Sequence, residues 1–238
     1  MDWLKEQWQE AFGGSLGQSV GNALTPEKVN FFGLMVNPSL ITSVGVSVLM
    51  ILAAAAIRIF IIPRFKKIPG GFQILLENMV GYFDKKSVET VHRQASFVGP
   101  YVYASALFIA IGTLIELLGV RPALASINSC FALGLTTFIV INIAGFHKKG
   151  FGGRIKRYKP LMGMINAVTD LAVPLSLSLR LFGSITSGFI IMELLYSLWF
   201  TSLILPAAVA VMTTIFHAGI QAYLFATLTN AFTAEALE

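Results

Sequence analysis

The chain has 238 residues, 55% of them hydrophobic and only 12% charged, whereas soluble domains average about 25% charged residues. This composition excludes an ordinary soluble domain and places the chain in a membrane. A net charge of +5 would suggest nucleic acid in a soluble protein, but the cations here gather in two loops and no nucleic-acid partner is expected.

Residues 1–38 form an external N-terminal arm of amphipathic character. They lack a basic start followed by an apolar core, so no signal peptide is read there and the first span directs insertion. Residues 39–62 are apolar and long enough to cross a hydrocarbon core of about 30 Å. Arg58 near the inner end of that span can snorkel to the headgroups. Pro63 and then Pro69-Gly-Gly71 end the helix. Over residues 72–92, apolar side chains at three- and four-residue spacing alternate with Glu77, Asp84, Lys85, Lys86 and Glu89, which predicts a helix at the membrane surface.

Residues 97–118 and 127–146 are two further spans, joined by a tight outer turn at Gly119-Val-Arg-Pro122. Arg64, Lys66, Lys67, Lys85, Lys86 and Arg93 fill one loop and Lys148, Lys149, Arg154, Lys156, Arg157 and Lys159 another. Both are assigned to the cytoplasm because inner loops carry the excess of Lys and Arg. The N-terminus is therefore expected outside and the C-terminus in the cytoplasm. The lone cysteine, Cys130, lies inside an apolar segment, which excludes an internal disulfide and leaves it as packing material. Residues 161–199 follow, which as one helix would extend about 58 Å, and residues 200–232 return as a second long segment. Both are expected to be strongly tilted or bent. The predicted fold is an all-α integral membrane protein with one membrane domain, residues 39–238.

Arg180 lies in the middle of the first long segment. Arginine keeps its proton, and a charge at bilayer depth costs a few kcal/mol on insertion scales. At about 100° per residue, Asn166, Thr169, Ser176, Arg180, Ser184 and Ser187 fall within about 40° of one line, a polar stripe on an apolar rod. Asp170 flanks the stripe and Glu193 points away from it. No carboxylate stands three, four or seven residues from Arg180, so its own helix offers no counter-charge. On the last segment Thr214, His217 and Gln221 share a second polar face. Two such faces predict a hydrated groove, although intramembrane hydroxyls often only bond to backbone carbonyls. His217 is either a packed imidazole or a pathway group of the kind that titrates near neutrality. Glu116 is either a headgroup-level carboxylate or a pathway entrance. No phosphate loop, HExxH or Cys/His cluster occurs, and no covalent catalysis or bound cofactor is expected.

Pro174-Leu-Ser-Leu-Ser-Leu-Arg-Leu-Phe-Gly183 closely resembles the signature of subunit a of F-type ATP synthases. Pro69-Gly-Gly-Phe-Gln-Ile-Leu-Leu-Glu-Asn-Met-Val-Gly81, Pro122-Ala-Leu-Ala-Ser-Ile-Asn128 and Ile220-Gln-Ala-Tyr-Leu-Phe-Ala-Thr-Leu-Thr229 are similar in the same order. The resemblance covers roughly residues 35–238, and Glu116-Leu-Leu-Gly-Val-Arg-Pro122 is similar to clostridial-type bacterial members. It implies a stationary, non-catalytic subunit that conducts H+ or Na+ through two half-channels. It also implies a c-ring and the peripheral stalk subunit b as partners, with lipids around the chain, in a bacterial inner membrane. Arg180 would be the stator arginine that meets each passing ring carboxylate, with Gln221 beside it.

Some positions depart from the family pattern. Ser184 replaces a usual Asn after the arginine motif, Phe189 stands where some members carry an acid, and Thr214 where some carry His or Glu. Glu193 and His217 lie about one turn further along and are expected to supply the outer half-channel's ionisable pair. Val173 replaces the usual basic residue before the proline, while Asp170 matches a frequent Glu and is assigned with Asn166 to the inner half-channel. The alternative reading is a stand-alone transporter or channel in which Arg180 binds an anionic substrate.

Overall fold

The computed structural model describes residues 29–31, 34–65, 70–91, 97–118, 121–156, 162–197 and 205–237. Within its helices the side chains at 72, 118, 148–156, 162–171, 189–190, 192–197 and 205–207 fall outside the description. Two short strands, β1 (Val29–Phe31) and β2 (Leu34–Val36), pair antiparallel with Val29 opposite Val36. The sequence reading of the arm as merely amphipathic does not include this hairpin. The elements that follow are helical, as expected for segments that must satisfy their own backbone in hydrocarbon.

α1 (Pro38–Ala56) starts at Asn37, whose side chain accepts from the Ser39 amide at 3.1 Å, with proline in the first turn. A side-chain acceptor and a residue without an N–H are what the unpaired amides of a helix start favour. The helix loosens into a π turn at Ile57–Ile61 and tightens into a 3-10 turn at Ile62–Arg64 around Pro63, where proline removes a donor from the ladder. The helix is attached mainly near its N-terminal end, where Ser43 Oγ donates to Ala123 O at 2.6 Å.

α2 (Gly71–Val91) packs against α3 (Val98–Leu114), which runs on as a 3-10 turn at Ile115–Leu118. α4 (Ile127–Lys156) continues through residues 148–156, which the sequence suggests as loop. Gly150, Gly152 and Gly153 lower helix propensity by about 1 kcal/mol each, but the first proline is Pro160. α5 (Met162–Ser197) and α6 (Leu205–Leu237) have 36 and 33 residues. At about 1.5 Å per residue both far exceed a 30 Å hydrocarbon core, so seating them in a bilayer requires tilt. α6 extends past residue 232, the end expected from hydropathy, into the C-terminal tail. Among the described residues, four stretches are long and apolar enough to cross a membrane: Pro38–Arg64, Val98–Leu117, Ile127–His147 and Ala208–Leu237.

α6 packs along α3 and α4, and α5 along α4 and α6. The core joins Ile109, Leu124, Leu177, Leu181 and Phe225 with Ala106, Ala144, Ala222 and Ala226. Small residues at such contacts let helix backbones approach where the hydrophobic effect supplies no drive. α4 and α5 come close at Gly134 of α4, where an added Cβ would meet Ser178 Oγ and stand 2.8 Å from the Pro174 carbonyl oxygen of α5. α5 passes through Pro174 without ending, and that same carbonyl accepts from Ser178 Oγ at 2.6 Å. α2 reaches α6 through a buried bond from Ser87 Oγ to Asn230 Oδ1 at 3.0 Å.

Candidate functional site

Arg180 projects from an open side of α5. It is exposed, as are Ser176, Gly183 and Ser187, with which it shares a line at four-, three- and seven-residue spacing. Leu177, Leu181 and Ile185 turn inward and are buried. Among the described residues no carboxylate pairs with Arg180. The polar stripe of the sequence is thus split by packing: Ser176, Arg180 and Ser187 stay on the open side, and Ser184 is half-buried toward α6.

Gln221 of α6 is the residue that ties this region together. Its side chain is 5% exposed, and Nε2 donates to the Arg180 carbonyl oxygen at 3.1 Å and to Ser184 Oγ. Ser184 Oγ in turn donates to Leu181 O at 3.1 Å, and Ser187 Oγ to Ser184 O at 2.8 Å. The amide therefore fastens α6 to the backbone of the arginine itself, leaving the guanidinium free to face outward. Gln221 Oε1 is buried without a hydrogen-bond partner, an acceptor held at the α5–α6 seam.

Beside this clamp, three elements enclose a small cleft. Thr113 and Glu116 come from the end of α3, Ser184, Ile185 and Gly188 from α5, and Thr213, Thr214 and His217 from α6. The hydroxyl protons of Thr113 and Thr213 are committed to the carbonyls of Ile109, at 2.7 Å, and Val209. His217 Nδ1 lies 3.3 Å from Thr213 O. Their oxygens therefore present lone pairs to the cleft, with Glu116 and His217 as its two ionisable groups. This suits passage of a small cation or proton better than binding of an organic anion.

Of the residues singled out in the sequence, Glu116, Ser184, Thr214 and His217 line this one cleft, and Arg180 and Gln221 adjoin it through Ser184. Ser187 faces outward beside Arg180. Asn166, Asp170 and Glu193 sit on α5, but their side chains lie outside the described residues, and with them the expected pairing of Glu193 with His217. Thr113 and Thr213 went unnoticed in the sequence. Thr113 could have been found from its place one turn before Glu116, on the same helix side. The buried pair of Ser87 and Asn230 carried no sequence signal, since it joins helices far apart in the chain.

The apolar helices define a multi-pass membrane protein, with an arginine on an open helix side and a polar cleft next to it. The family model described as ATP synthase A chain matches residues 43–234. The chain belongs to that family, subunit a of F-type ATP synthases. It is 30% identical to ATP synthase subunit a of Mycobacterium marinum over 234 residues, covering 87% of this chain and 90% of the relative. It is 31% identical to ATP synthase subunit a 1 of Syntrophotalea carbinolica, covering 80% and 83%. To ATP synthase subunit a of Geobacter sulfurreducens it is 27% identical, covering 88% and 96%.

Proposed function

We propose that the chain is the stationary ion-conducting subunit of its complex, with Arg180 as the charge that meets the carboxylates of a rotating c-ring. The observation that carries this reading is the presentation of Arg180: an intramembrane guanidinium on an open helix side, with its backbone clamped by Gln221 and no carboxylate partner among the described residues. A permanent charge at such a depth needs a counter-charge, and one carried on another chain can arrive and leave. At about 4 Å and an effective dielectric near 20 such a pair is worth about 4 kcal/mol, which lowers the proton affinity of the carboxylate about a thousandfold. The same charge prevents an ion from passing straight between the two access routes.

The cleft of Glu116, His217, Thr214 and Ser184 serves as the outer access route, with Glu116 joining the ionisable pair that sequence register makes of Glu193 and His217. Asp170 and Asn166, on the N-terminal part of α5, are assigned to the inner route. The translocated ion is H+ or Na+, the stalk subunit b is a further partner, and the chain lies in a bacterial inner membrane with its N-terminus outside. Nucleotide chemistry belongs to other subunits.

Arg180→Ala in inverted membrane vesicles tests the proposal. Ion-driven ATP synthesis is expected to fall to background while the complex still assembles and passive ion leak rises. A variant that retained coupled synthesis would overturn it.

A further inference from the structure

α2 carries two kinds of exposed residue that no single solvent accepts. Glu77, Asp84, Lys85 and Glu89 are exposed, and so are Leu75, Met79, Val80 and Val88. Only the boundary between water and hydrocarbon suits both. Leu75, Met79, Tyr82 and Lys86 recur on one line of the helix at four- and three-residue spacing, an apolar stripe that ends in a cation. On α6, Met212, Phe216 and Tyr223 form a second exposed stripe at four- and seven-residue spacing.

The two stripes meet at Lys86. Its Nζ donates to Tyr223 Oη at 2.8 Å and stands 4.3 Å from the Tyr223 ring centre and 5.8 Å from that of Tyr82. The Tyr223 hydroxyl holds the amine above the ordinary lysine range, so the cation is present at working pH. Its neighbours at the crossing are the two tyrosines, which are neutral at working pH. An ammonium has three donors, and two tyrosine hydroxyls leave at least one to offer.

We propose that the crossing of α2 and α6 binds an anionic phospholipid, with the phosphate on Lys86 and the acyl chains along the two apolar stripes. The charge is single and terminal, as in an amphiphile. Each stripe runs about 16 Å from the cation, long enough to line most of an acyl chain. Tyrosines at headgroup level are common where a ring meets tails and a hydroxyl meets phosphate. This site is separate from the Arg180 side of α5 and does not depend on the ion pathway.

The test uses the whole complex in nanodiscs doped with photoactivatable phosphatidylglycerol or phosphatidylcholine, with labelled peptides mapped by mass spectrometry. Peptides around Tyr82 and Tyr223 are expected to label about fivefold more with phosphatidylglycerol, the ratio that one cation near a surface supplies. Lys86→Gln should bring that ratio to about one and Lys86→Arg should keep it, while labelling of α1 stays the same in every variant. Equal labelling by the two lipids, or a preference that survives Lys86→Gln, would overturn the site. So would lipid labelling that is absent because a helix of another subunit occupies the crossing.

Discussion

Arg180 and Lys86 are two cations on helices that touch α6, the first exposed and the second half-buried, and the chain treats them in opposite ways. Lys86 is held by its own protein, through a hydrogen bond and two aromatic faces. Around Arg180 the chain secures the backbone, through Gln221, and leaves the charge without an acidic partner among the described residues. The difference separates a cation that fastens helices from one reserved for a transient partner. Five experiments would break or sharpen it.

The largest effect is expected from Arg180→Lys, which keeps the charge but replaces a planar fork by a compact, shorter-reaching ammonium. If Arg180 meets a ring carboxylate across the open side of α5, coupled ATP synthesis in vesicles should fall by about a hundredfold or more, equivalent to over ~2.7 kcal/mol. Synthesis within twofold of the parent would mean that any cation suffices, as it would for Lys86.

Next is Gln221→Leu, which removes the bonds to Arg180 O and Ser184 Oγ. Each such bond is worth about 0.5–1.5 kcal/mol net, so a loss of about tenfold in coupled synthesis is expected, with the complex still assembled. Were synthesis unchanged, the backbone clamp would be packing and not positioning. A paired experiment separates the cleft from the clamp. Glu116→Gln should lower ion-driven synthesis about tenfold, and His217→Leu added to it should cost less than it does alone, because groups sharing one site are not additive. Independent effects would show that the two do not share a route.

The sequence makes much of this region legible and misses the rest for a physical reason. Periodicity placed Ser176, Arg180 and Ser187 on one line and set Gln221 on a facing helix, since both statements concern one helix at a time. Register pairs His217 with Glu193, whose side chain lies outside the described residues, but it does not bring Glu116 to the His217 cleft, because the neighbours of α3 cannot be read from its own pattern. Hydropathy likewise ended α4 near residue 146, because charges mark where apolar sequence stops and not where backbone hydrogen bonding stops.

Gly134→Ala bears on the scaffold that both cations rely on. The added methyl would press on the Pro174 carbonyl of α5, a backbone atom that cannot swing aside, so α5 must move or the α4–α5 contact must open. Overpacking of this kind costs about 1–3 kcal/mol. Thermal dissociation of the purified complex should come earlier, and coupled synthesis should drop severalfold, because Arg180 rides on the displaced helix. An unchanged midpoint would mean that α4 and α5 have slack at Gly134.

The smallest effect on coupling belongs to Lys86→Met, which keeps the length of the side chain and removes its charge. The buried bond from Ser87 to Asn230 remains to hold α2 on α6, and no ionisable residue of the cleft belongs to α2. Coupled synthesis should therefore stay within about twofold, while stability falls by no more than the ~0.5–1 kcal/mol typical of an exposed cation over an aromatic ring. A loss comparable to that of Arg180→Lys would place Lys86 in the ion pathway and erase the distinction between a cation kept by the chain and one held out for a partner.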